Sequence, residues 1–73
     1  MSVDKHSVMI AEHRTSVSLE PEFWNVLKQI AARRETTPAE LITRIDADRT
    51  GGLSSALRVF ILKTVMEENG FNA

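Results

Sequence analysis

The residues from Glu12 to Leu19, EHRTSVSL, alternate in character, with Thr15, Val17 and Leu19 on one face and Arg14, Ser16 and Ser18 on the other. A period of two marks a half-buried β-strand, the β-branched Thr15 and Val17 suit it, and Pro21 ends any ladder soon afterwards. No second stretch alternates as convincingly, and a lone strand is not stable. The pattern therefore predicts a strand over 12–19 that pairs antiparallel with the same strand of a second copy about a two-fold axis. Residues 1–11 are expected to form a flexible N-terminal arm, which places His6 in a disordered segment.

Chain length makes the same demand for a partner. A chain of 73 residues buries only about 60% of the surface it exposes when unfolded. With no cysteine there is no disulfide, thiolate zinc site or thiol nucleophile to add stability or chemistry. His6 and His13 cannot alone close a metal site, although Asp4 and Glu12 lie near them in sequence. His13 shares the parity of Thr15 and Val17 and is expected to pack at the end of the ribbon. Asp46 and Asp48 imitate the start of a calcium loop but lack its later oxygen ligands and closing Glu. No metal and no cofactor is expected, and a homodimer is.

Helical punctuation follows the strand. Pro21 suits a first helical position, Glu20 and Glu22 complement the positive end of the dipole, and Phe23, Trp24, Leu27, Ile30 and Ala31 keep helical spacing. That spacing predicts a helix over 21–35, with Arg33 and Arg34 in its last turn. It also makes Trp24 a core residue in preference to a stacking platform for single-stranded nucleic acid. Thr37-Pro38-Ala39-Glu40 is a capping box and opens a helix over 38–47. A polar loop closing on Gly51-Gly52 leads to a last helix over 54–69. From Val59 to Leu62 that helix is apolar around nearly its whole circumference, which calls for cover from a second copy. The shared dimer core is expected to hold Val17, Leu19, Trp24, Leu57, Phe60 and Ile61. The fold class is mostly α with one strand: a β-strand and then three helices, in an intertwined homodimer.

Nine Lys and Arg stand against ten Asp and Glu, a formal net charge of -1, so any contact with nucleic acid must come from a local patch. The longest apolar run, Val59 to Leu62, is far below the roughly 18 to 20 residues that span a bilayer. Met1 to Ala11 has no apolar run long enough for a secretory signal, so none is expected, and a cytoplasmic location without membrane contact is. No nucleophile and base are spaced for catalysis, no phosphate loop is present, and so short a chain forms no deep pocket for a small molecule. An enzyme is therefore not expected.

The outward set Arg14, Ser16 and Ser18 has two readings. A solvated outer face is the ordinary one. The second is base readout, because B-DNA's major groove admits a two-stranded ribbon, Arg pairs with guanine O6 and N7, and serine bonds several base edges.

RTSVSLEPEFW, residues 14–24, followed by an amphipathic helix and by LSSALRVFIL, residues 53–62, resembles the short bacterial ribbon-helix-helix proteins of the Arc and MetJ superfamily. The resemblance runs from Glu12 to Met66. It implies a homodimer, or a dimer of dimers, that binds double-stranded DNA as a transcriptional repressor and reads bases through the positions of Arg14, Ser16 and Ser18. It also implies a phosphate contact at the N-terminus of the family's second helix. This chain has one helix more than the family's short pattern. The segment Gly51 to Ser55 followed by Arg58 suits a phosphate better than Thr37-Pro38-Ala39-Glu40, where Pro38 lacks an N–H and Glu40 is negative. Gly52, Ser54, Ser55 and Arg58 are thus the expected phosphate contacts, and Thr37 to Ile45 an insertion. The alternative is a protein-interaction module, antitoxin-like or an adaptor, that keeps the dimer and binds DNA weakly or not at all. With Phe71, Asn72 and Ala73 after Gly70, a toxin-wrapping segment is not expected.

Overall fold

A computed structural model describes residues 3–70. Its elements in chain order are strands β1 (Asp4–Ile10) and β2 (His13–Leu19), then helices α1 (Pro21–Arg33), α2 (Pro38–Asp48) and α3 (Leu53–Glu68). The helix and strand ends lie within two residues of those the sequence predicts. The beginning of the chain does not follow expectation.

Residues expected in a flexible arm form β1, which pairs antiparallel with β2 of the same chain, Asp4 opposite Leu19 through to Ile10 opposite His13. Residues 1 and 2 of that arm lie outside the described residues. The cause of this pairing is local to the turn between the strands. Ala11 and Glu12 form a two-residue turn with φ of 49° and 68°, the doubly left-handed geometry whose twist matches that of a hairpin. Such turns normally carry Asn and Gly, so Ala-Glu gives no sign of one. In β1 itself Met9 faces outward between inward Val8 and Ile10, which hides the alternation. The strand over 13–19 thus finds its partner within its own chain.

The hairpin lays one face on the three helices. Val8, Ile10, Val17 and Leu19 from the sheet meet Leu27, Ile30 and Ala31 of α1, Leu41 and Ile42 of α2, and Leu57 and Ile61 of α3. Leu19, Leu27, Ile30, Ile42, Leu57 and Val17 are fully buried, and each such side chain contributes about 1.5–3 kcal/mol by leaving water. Helix α2 packs on β1 and α3, while α3 packs on β2. Val17, Leu19, Leu57 and Ile61, expected between two chains, are therefore core residues of one chain. Trp24 and Phe60 border that core, half-buried.

Local signals set the helix boundaries. The Thr37 hydroxyl accepts the N–H of Glu40 at 3.2 Å, as the capping box predicts, but the Glu40 carboxylate takes the Thr36 hydroxyl instead of closing the box on Thr37. Helix α1 ends earlier than predicted because Glu35 turns left-handed at φ 55°. The N–H of Thr36 then bonds the carbonyl of Ala31 and that of Glu35 the carbonyl of Ala32, a Schellman end with Glu where Gly is usual. Arg33 bridges to Glu68 at 2.6 Å and Arg34 lies over Phe60, so both arginines join α1 to α3.

Candidate nucleic-acid interface

The pleat of the hairpin decides which side chains share its outer face. Arg14, Ser16 and Ser18 stand there, as the alternation predicts, beside Lys5, Ser7 and Met9 of β1. Across the ribbon Lys5 faces Ser18, Ser7 faces Ser16 and Met9 faces Arg14. The face carries two cations and three hydroxyls and no carboxylate, in a chain with slightly more acids than bases. Lys5, Ser7 and Met9 were missed by sequence reasoning because the hairpin that presents them gave no turn signal.

One edge of this ribbon is open. In an antiparallel ladder, hydrogen-bonded pairs alternate with pairs whose backbone groups point away. The tight turn makes Ile10 and His13 a bonded pair, so Arg14, Ser16 and Ser18 direct their N–H and C=O groups to the far edge of β2. Ser18 uses that direction, its N–H donating to the Ser54 hydroxyl at 3.3 Å. Among the described residues no other backbone group takes up Arg14 or Ser16 on that side.

The bond from Ser18 to Ser54 also sets the N-terminus of α3 against the readout strand. Gly52 caps α3 without a side-chain hydrogen bond, and the first turn carries no acid. Gly52 and Ser55 are exposed, and among the described residues no atom lies within 4 Å of the position a Cβ of Gly51 or Gly52 would occupy, so the start of α3 is uncrowded at its glycines. Arg58 is engaged otherwise. Its Nε bonds the Glu20 carboxylate at 3.0 Å and its guanidinium lies over the Phe23 ring. The Glu20 carboxyl is held below its ordinary value by a hydrogen bond from its own backbone N–H and then by Arg58. Of the four expected phosphate residues, Gly52, Ser54 and Ser55 thus sit together beside the ribbon, while Arg58 first answers Glu20. At the start of α2 the N–H of Glu40 is already taken by Thr37, and the Glu40 carboxylate stands in the first turn.

Elsewhere, Asp46 accepts from Arg49 at 2.6 Å, and His13 stands exposed opposite Ile10 at the turn. Among the described residues no three His, Asp or Glu gather in a way that would hold a metal ion. No helix of the described residues is long and apolar enough to cross a membrane.

An antiparallel ribbon backed by helices, with a cationic and hydroxyl-bearing outer face, is consistent with a ribbon-helix-helix domain. The chain belongs to that family: the ribbon-helix-helix domain matches residues 3–65, a span that takes in β1, β2, α1, α2 and most of α3. Helix α2, read from the sequence as an insertion, therefore lies inside the family's domain. Domains of this family generally serve DNA-binding regulators or antitoxins and are typically not enzymes. Among solved structures the chain is similar to an uncharacterized protein from Bordetella pertussis Tohama I, at 34% identity and a TM-score of 0.75. The alignment covers 94% of this chain and 61% of that one, so this chain spans less than two thirds of its neighbour's length. No curated protein matches the chain.

Proposed function

We propose that this chain is a sequence-specific DNA-binding protein, a transcriptional regulator of the repressor kind that acts as a homodimer. The observation that carries the reading is the outer face of the ribbon, where Arg14, Ser16 and Ser18 stand with Lys5 and without a carboxylate. The edge of β2, free at Arg14 and Ser16 and taken by Ser54 at Ser18, supports a dimer in which two β2 strands pair about a two-fold axis, giving a sheet in the order β1, β2, β2 and β1. The two central strands enter the major groove, and Arg14 of each makes the bidentate guanine contact. The N-terminus of α3, with Gly52, Ser54 and Ser55, anchors a phosphate beside the groove.

Exposed Val59 and Leu62 on α3 favour a protein contact as well, and a second copy is the partner that the dimer supplies. Enrichment of duplexes from a randomised pool, followed by a salt titration on the winner, tests the proposal. A pseudo-palindromic site with a steep salt dependence is expected. No enrichment at low salt would favour the adaptor reading instead.

A further inference from the structure

The same sheet order assigns a different task to β1, on the premise that the two β2 strands form the DNA-reading pair. Neighbouring strands lie about 4.8 Å apart, so the β2 strands stand ~2.4 Å from the two-fold axis and the β1 strands ~7 Å from it. The major groove is about 12 Å wide, a half-width of ~6 Å, and it admits two strands but not four. The β1 strands therefore cannot follow β2 to the base edges. They come to rest over the two lips of the groove, where the phosphates run.

Lys5 is the side chain placed to use that position. It is exposed, shares the outer face with Arg14 and Ser16, and lies directly opposite Ser18. Its three ammonium donors on a flexible stem can reach a phosphate oxygen from β1, whereas Arg14 stands on the central strand, where its fork meets a guanine edge. Ser7, opposite Ser16 at the middle of the ribbon, adds a hydroxyl donor on the same rail.

We infer that β1 is a phosphate-binding rail, with Lys5 as a sequence-independent anchor on each side of the groove and Arg14 of β2 as the sequence reader. The division of labour separates two neighbouring cations of one face by the quantity each controls.

The test is a salt titration of the full chain and its Lys5→Gln variant on the selected duplex and on a scrambled one. Lys5→Gln is expected to weaken both complexes alike and to lower the slope of log K against log salt by about 0.9 per chain, ~1.8 for the dimer. Lys5→Arg should restore the slope, and the order of preferred sequences should not change in either variant. An unaltered slope overturns the rail. A changed base preference at Lys5→Gln also overturns it, because Lys5 would then lie inside the groove, as it would if one hairpin alone entered. Should the parent chain enrich no duplex, the DNA-binding reading falls and the rail with it; a parent that binds with a Lys5→Gln slope equal to its own refutes the rail alone.

Discussion

The imidazole of His6 lies flat on the indole of Trp24, with ring centroids 3.8 Å apart and planes 6° from parallel. This stack fastens the middle of β1 to the first turn of α1, and it leaves the His6 Nε2 buried without a hydrogen-bond partner among the described residues. Stacked aromatic pairs are worth about 0.5–1.5 kcal/mol beyond their buried area. His6→Ala should therefore cost about 1 kcal/mol. Half-buried Trp24 should cost more, about 2–4 kcal/mol on Trp24→Ala. His6→Phe keeps the stack and removes the orphaned nitrogen, so it should stabilise the fold by about 1 kcal/mol. Urea midpoints of the three variants check these signs, and a destabilised His6→Phe variant would show that the nitrogen has a partner.

Among the described residues, three other than glycine hold a left-handed backbone, Ala11, Glu12 and Glu35. That conformation costs an L side chain about 1–2 kcal/mol, and glycine adopts it freely. Glu35→Gly at the end of α1 and Glu12→Gly in the hairpin turn should each raise stability by about 1 kcal/mol. In a domain of this size that corresponds to a melting shift of about 4–8 °C. Ala11→Asn, with Glu12→Gly, restores the ordinary residues of such a turn and should add to the gain. Unchanged melting temperatures would mean that the turns relax without strain.

These same positions mark where the sequence stopped being legible. Helix α2 was readable because Thr37, Pro38 and Glu40 announce its start chemically, and β2 because its alternation is strict from Arg14 to Leu19. β1 was not readable, because Ala11-Glu12 is a poor turn by composition and Met9 breaks the alternation of its strand. The loss propagated to function. Without β1, the predicted strand over 12–19 has no partner within its own chain, and Val17, Leu19, Leu57 and Ile61, which the structure buries inside one chain, are expected in a core shared by two. Half of the outer face, Lys5, Ser7 and Met9, stayed out of sight for the same reason. Arg14, Ser16 and Ser18 were found because parity alone places them.

The Thr37 cap offers a check on α2 that is independent of DNA. Its hydroxyl accepts the N–H of Glu40 at 3.2 Å. Thr37→Ala leaves that donor to water and should cost about 1 kcal/mol, whereas Thr37→Ser should be nearly neutral. Thermal unfolding of the two variants distinguishes a working cap from an incidental contact.

Arg14 and Ser16 are expected to differ in the quantity they control. Arg14→Ala should lose about 1–3 kcal/mol on the preferred site and relax selectivity at one base pair of each half-site. Ser16→Ala should cost less, since a single hydroxyl replaces a bidentate fork. Repeating the duplex selection with each variant reads both effects. Parent-like affinity and preference in Arg14→Ala would remove Arg14 from the groove.

Glu20 and Arg58 couple the fold to the proposed phosphate anchor. The Glu20 carboxyl sits lower in the folded chain than its ordinary value, through its own backbone N–H and then Arg58. A depressed carboxyl contributes stability that is complete above the unfolded value and lost as pH falls through the folded one. Stability should thus decline below the ordinary carboxylate range, and Glu20→Gln should flatten that part of the profile. The same variant releases Arg58, one turn beyond Ser54 and Ser55 at the start of α3. If Arg58 then reaches a phosphate, Glu20→Gln should bind all duplexes more tightly and with a steeper salt slope, and Glu20→Gln with Arg58→Ala should lose both gains. Equal slopes for parent and Glu20→Gln would confine Arg58 to its structural role between α3 and the end of β2, and leave the anchor to Gly52, Ser54 and Ser55.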